Sequence, residues 1–197
     1  MTNSILGSLM QQLQGGGIGE ISKAVGVSED QVGQVVSGAL PALMGALGRN
    51  AGSPSGAEAL FGALSGKHDG GILNDVVGAL AGGKSADTGI LRHAFGAKQG
   101  AVEQALSSGS GVDMASVTKI LAMVAPLVMG ALGKARQEQG LDTSSMAKLV
   151  NQERQTVEKQ APGVAGMLGS LLDSNGNGDV MDDVASIGSS LFKSFLG

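Results

Sequence analysis

A nine-residue stretch that occurs twice is the tightest constraint on how this chain can fold. Pro41-Ala42-Leu43-Met44-Gly45-Ala46-Leu47-Gly48-Arg49 returns 85 residues later as Pro126-Leu127-Val128-Met129-Gly130-Ala131-Leu132-Gly133-Lys134. Upstream, Gly26-Val27-Ser28 matches Gly111-Val112-Asp113, and Val32 matches Val117. Small residues match one another by chance in Gly/Ala/Leu-rich sequence, but aligned prolines and caps argue for true repetition. The repeat predicts two long apolar helices packed together at the centre of the fold, each kinked or split at its proline. Their glycines would let backbones approach closely, while Arg49 and Lys134 would answer the negative helix ends. A shorter echo, Gly71-Ile72-Leu73 against Gly89-Ile90-Leu91, lies between the copies.

The remaining sequence also has a helical period. Apolar residues recur at three and four, and Val and Ile never form the alternating runs of strands. Leu6, Met10 and Leu13 predict a first short helix, stopped by Gly15-Gly16-Gly17, and Ile18–Val25 predicts a second. Ser28 reads as an N-cap with Gln31 in the capping-box position. Ser53-Pro54-Ser55 restarts the chain, and Gly70-Gly71 and Gly82-Gly83 break the middle into short helices. Asp113 caps the second long helix, which Gly140 ends, and Asp142 opens a polar helix running to about Gln160. The expected fold is all-α, a compact bundle of about eight to ten short helices around the two kinked ones. Residues 1–140 form the expected core, and 141–197 a polar helix plus a helix–loop–helix appendage.

Composition narrows the function classes. The chain has 197 residues and no Cys, which excludes disulfides, Cys-ligated metal and a thiol nucleophile. Trp and Tyr are absent, leaving four Phe, which weakens a reading based on stacking platforms, and the formal net charge of −4 gives no basic footprint for nucleic acid. Charged residues are only 15%, and Gly numbers 34, which predicts a charge-poor surface rich in small residues and prone to association. The apolar runs Val35–Leu47 and Ile120–Leu132 are about 13 residues each, short of the ~20 that span a bilayer. The start lacks a basic n-region and cleavage site. A cytoplasmic protein with little membrane contact is expected, and export without a cleaved signal stays compatible.

Four segments together carry a family resemblance. They are Gly38-Ala39-Leu40-Pro41-Ala42-Leu43-Met44-Gly45-Ala46-Leu47, His68-Asp69-Gly70-Gly71-Ile72-Leu73, Gly89-Ile90-Leu91-Arg92-His93-Ala94-Phe95-Gly96 and Ala125-Pro126-Leu127-Val128-Met129-Gly130. Over about residues 1–135 the chain resembles the bacterial domain of unknown function 937, which is related to the YidB-like proteins. The resemblance implies an all-helical bacterial protein and brings no activity or catalytic residues with it.

One segment has the spacing of a cation loop. In Asp173-Ser174-Asn175-Gly176-Asn177-Gly178-Asp179, side-chain oxygens fall at positions one, three and five, a glycine stands at six, and Asp179 offers its carbonyl at seven. Apolar helical faces flank it on both sides, as in an EF-hand. The pattern departs at position twelve, where Val184 replaces the bidentate carboxylate. Asp182 and Asp183 could complete the shell only if the exiting helix turned early. Asp173, Asn175, Asn177, Asp179, Asp182 and Asp183 are therefore candidate ligands of a modest-affinity calcium site, and the bland alternative is a metal-free Asx-turn loop.

His68 and His93 are the two histidines, and with Asp69 and Asp75 they could form a metal or acid–base site, although a lone His at a helix end more often caps or lies exposed. No Gly-x-Ser-x-Gly elbow and no phosphate loop is present. The expected function is a non-enzymatic structural or interaction module that self-associates or receives a protein partner through small-residue helix faces. The alternative is a calcium-responsive binding protein whose loop orders the last helix.

Overall fold

The computed structural model describes residues 4–83 and 85–160, and these are all-helical, with no strand among them. They fall into seven runs, 5–25, 29–50, 54–65, 71–83, 88–110, 114–139 and 143–160, the first kinked at Gly15 and Gly16 and the fourth at Gly82. That is slightly below the expected eight to ten, because adjoining short helices follow one another across kinks with no intervening loop. Within the runs the α-helices are α1 Ile5–Gln12, α2 Ile18–Val25, α3 Glu29–Asn50, α4 Pro54–Ser65, α5 Val76–Leu80, α6 Thr88–Phe95, α7 Gln99–Ser110, α8 Met114–Gln139 and α9 Thr143–Gln160. As expected, α1 stops at the glycine run: Gly15 and Gly16 leave helical geometry, Gly16 at φ 128°, and the chain kinks there before α2, while a 3-10 turn joins α6 to α7.

The repeat is visible as two matched helix pairs, α2–α3 and α7–α8. Each first helix ends on a left-handed glycine, Gly26 at φ 81° and Gly111 at φ 69°, a conformation without penalty only for glycine. In each, a serine hydroxyl donates to the carbonyl of the next residue but one after the preceding helix: Ser22 Oγ to Val27 O and Ser107 Oγ to Val112 O, both at 2.6 Å. Each second helix then opens on a side-chain cap. Ser28 forms a capping box with Gln31, and Asp113 Oδ1 accepts from the Ser116 N–H at 3.0 Å.

Helices α3 and α8 pack together at the centre, and α7 and α2 each pack against both of them. Val35, Val36, Leu43, Met44, Leu121, Leu127 and Leu132 are fully enclosed there. Neither helix splits at its proline; both continue through it. Lys134 corrects an expectation. Helix α8 runs on to Gln139 and is closed by Gly140, so Lys134 lies in its interior and pairs with Glu138 at 3.9 Å instead of capping the end. Helix α9, opened by Asp142 accepting from the Ser145 N–H at 2.7 Å, packs on α3 and α4 and buries Met146 and Val150 in the same core.

Helix α8 is long and apolar enough to cross a membrane, with a mean hydropathy of 1.8, but 83% of that window is buried inside the protein. The two runs judged too short from sequence are parts of longer helices, and α8 serves as the core helix.

Candidate functional site

Pro126 has no N–H, so the Ala122 carbonyl one turn back lacks its usual helical partner. It accepts the Asp87 N–H at 2.9 Å. That bond fastens the start of α6 to the middle of α8. Asp87 also caps α6, its Oδ1 accepting from the Gly89 N–H at 2.7 Å. The other end of α6 is held by Asn50, the last residue of α3, whose Nδ2 donates to the carbonyls of His93 and Ala94 at 3.0 and 3.2 Å. Two carbonyls left open at a helix C-terminus are thereby satisfied.

Helix α4 starts afresh after α3, with Ser53 Oγ accepting from the Gly56 N–H at 3.1 Å and Pro54 at the first helical position. Its C-terminal end runs into the segment 66–70, which lies flat on α8. A Cβ on Gly133 would fall on the His68 carbonyl oxygen, and one on Gly130 on the Ile72 side chain. These two glycines are what let the segment approach so closely. They fix where His68 projects.

Helices α4 and α6 both rest on α3 and α8 but make little contact with each other. Between them lies a half-open groove of about 740 Å³, within the roughly 300–1,000 Å³ of small-ligand sites. Its floor is apolar: Leu47 from α3, Met129 from α8, Leu60 and Ala63 from α4, Ile90 and Ala94 from α6. One end carries Lys67, His68 and Asp87, and the other Asn50, Ser53 and His93. A smaller recess of about 260 Å³ adjoins the first end, sharing Lys67, His68 and Asp87 and reaching Pro126.

Sequence reasoning paired His68 and His93 with Asp69 and Asp75. The structure does bring both histidines into one groove, at its opposite ends. The two aspartates are otherwise employed. Asp69 Oδ1 accepts from the Gly71 N–H at 3.0 Å, and Asp75 Oδ1 from the Gly78 N–H at 2.8 Å, capping α5. Asp69 reaches only the smaller recess. Among the described residues no group of three or more His, Asp or Glu side chains is placed to hold a metal ion. The carboxylate in the groove is Asp87, which the sequence signalled only as the residue before a Thr-Gly-Ile-Leu helix start. Burial pushes the half-buried His68 below the ordinary imidazole range; Asp87 opposes that shift and Lys67 adds to it.

The cation-loop residues Asp173, Asn175, Asn177, Asp179, Asp182 and Asp183 lie outside the described residues. A family model described as a bacterial protein of unknown function (DUF937) matches residues 7–135, the span from α1 through most of α8. No curated protein and no solved structure matches the chain.

Proposed function

We propose, from the premise that this chain belongs to the bacterial DUF937 family, that it is a non-enzymatic binding module whose working surface is the groove between α4 and α6. One observation carries the reading: hydrogen bonds at both ends fasten α6 to α8 and α3, and α4 packs separately on α8, α9 and α3, so the fold itself holds the two walls apart. A preformed, mostly apolar concavity with polar groups at its ends is how small-molecule and short-peptide sites are built.

Part of the small-residue surface first suggested for association is occupied from within, while Gly33 and Gly62 have no neighbour over them. Leu106 lies against Gly38, Arg154 against Gly48, Ile72 against Gly130 and the His68 backbone against Gly133. Among the described residues the larger apolar side chains well exposed to solvent are Val77 and Met114, far apart in sequence. The groove is therefore the better place for a partner. Lack of catalysis rests on the polar groups: Asp87 is committed to its cap and Asn50 to two carbonyls, and the imidazoles stand at opposite ends.

Calorimetric melting against small neutral, anionic and cationic amphiphiles tests this reading. At least one should raise the melting temperature of the wild type and fail to do so in Ala59→Trp, where an indole at the exposed rim fills the groove. If none raises it, or the indole makes no difference, the groove is not the binding surface.

A second reading has the 173–183 loop bind calcium and order the chain that follows, and the loop spacing favours it. Millimolar calcium should then raise the melting temperature by several degrees, and Asp173→Ala should cancel the rise. No calcium effect would remove this reading and leave the groove unaffected.

A further inference from the structure

We propose that the groove between α4 and α6 is covered by the chain's own last segment, residues 184–196, laid apolar side down, so that an outside ligand must displace it; this rests on the groove being the binding surface. Residues 161–197 lie outside the described residues and continue from Gln160, the last residue of α9. At a helical repeat, Val184, Ile187, Leu191, Phe192 and Phe195 fall on one stripe. Thirteen residues are too few for a helix that stands alone in water, so the stripe needs a surface to fold upon.

The groove offers that surface. Its floor presents Leu47, Leu60, Ile90 and Met129, the kind of apolar bed that receives the i, i+3, i+4 and i+7 side chains of an amphipathic helix. On the α4 wall Ser55, Ala59 and Ala63 place one small side chain on each turn, which lets a second helix lie close. The lengths agree. Helix α4 has 12 residues and is about 18 Å long, and a helical stripe from 184 to 195 is about 16 Å. The other apolar stretch beyond α9, 167–172, would cover only about 9 Å.

The end of α9 puts the segment within reach. Helix α9 packs on α4, and its Arg154 lies against Gly48, beside the floor residue Leu47. Gln160 is six residues further on, about 9 Å along the helix. The 23 residues between Gln160 and Val184 span about 25 Å as a relaxed coil, more than the length of the groove. Such a tether holds the segment near the groove at an effective concentration of about a millimolar. The segment of a second copy would have to reach the same place from bulk solution.

Point changes in the full chain test this, with the methionine methyl groups carbon-13 labelled and decanol as the outside ligand, titrated calorimetrically. Leu191→Asp should expel the segment. The Met129 signal should then shift while Met44 stays in place. Decanol should bind about tenfold more tightly than to the wild type, the gain from removing a segment that fills the groove about nine-tenths of the time. Lys193→Gln, off the stripe, should change neither. Phe195→Ser repeats the test should Leu191→Asp fail to melt cooperatively.

An unmoved Met129, or decanol affinity unchanged in Leu191→Asp, overturns the cover and leaves the groove as a binding surface. Lys193→Gln acting as strongly as Leu191→Asp also overturns it. So does a wild-type Met129 signal that changes with protein concentration, which would assign the groove to the segment of another copy. Decanol bound as tightly when Ala59→Trp is added to Leu191→Asp overturns both this proposal and the groove reading beneath it.

Discussion

The two copies of the nine-residue repeat have nearly the same sequence and different neighbours. On α3, the glycine face receives a side chain: a Cβ on Gly48 would stand 3.0 Å from Cδ of Arg154 on α9, and one on Gly45 would meet only Arg49 of its own helix. On α8, the matching face receives backbone, the segment 66–70 laid across Gly133, with Ile72 over Gly130. Met44 of the first copy is sealed in the core, while its counterpart Met129 reaches the groove floor. The difference teaches that a small-residue helix face is a permission for close approach rather than a function. What occupies it decides the outcome. In the α8 copy the occupant is a loop carrying His68, and the Ala122 carbonyl left free by Pro126 holds Asp87.

Exchanging alanine for glycine in each copy separates the two most strongly. Gly133→Ala drives a methyl into a backbone carbonyl that cannot rotate away, and should cost about 2 kcal/mol even after the helix-propensity gain. For a chain of this size the melting temperature should fall by roughly 2–4 °C for each kcal/mol. Asn50→Ala comes next. It removes two hydrogen bonds to the end of α6, one exposed and one part-buried, and should cost about 1 kcal/mol, with faster hydrogen exchange confined to α6. Gly48→Ala should change stability by under about 0.5 kcal/mol, because a flexible arginine can give way and alanine favours the helix. A Gly48→Ala loss as large as that of Gly133→Ala would erase the distinction between the copies.

The smallest expected effect is on pH dependence. Burial favours the neutral His68 in the folded chain, so its folded pKa lies below the unfolded 6.5. Above 6.5 that preference contributes its full stability, and it is lost as pH falls through the folded value. Melting between pH 7 and 5.5 should therefore show a slight destabilisation that His68→Gln reduces. A steeper loss follows at lower pH. The exposed Asp113 and Asp142 caps are held below the ordinary 3.8, chiefly by hydrogen bonds from Ser116 and Ser145 respectively, and their stabilisation disappears on protonation. Asp113→Asn should make the acid limb of the pH–stability curve shallower.

The caps, the repeat and the all-α class were legible in the sequence because each depends on neighbours within a turn or two. Ser28 with Gln31, Asp113 before Ser116 and Asp142 before Ser145 are local arrangements. Lys134 was misread because alignment with Arg49 places it at a helix end, whereas the Gly that closes α8 comes six residues later. The groove was not legible. It exists because α4 and α6, some twenty residues apart in sequence, are each fastened to the central helices and not to one another. Its fastenings are a main-chain bond from Asp87 to a proline-freed carbonyl and an asparagine that reads as a simple helix terminus. The two histidines were found because they are rare. Their separation along the groove depends on where Gly133 lets the backbone lie.

The paired methionines offer the most direct measurement. With the methyl groups carbon-13 labelled, an amphiphile that raises the melting temperature should shift the Met129 signal saturably, while Met44, its counterpart in the other copy, stays unmoved. A titration in which Met44 moves with Met129, or in which neither responds, would contradict the assignment of binding to the face of α8 between α4 and α6.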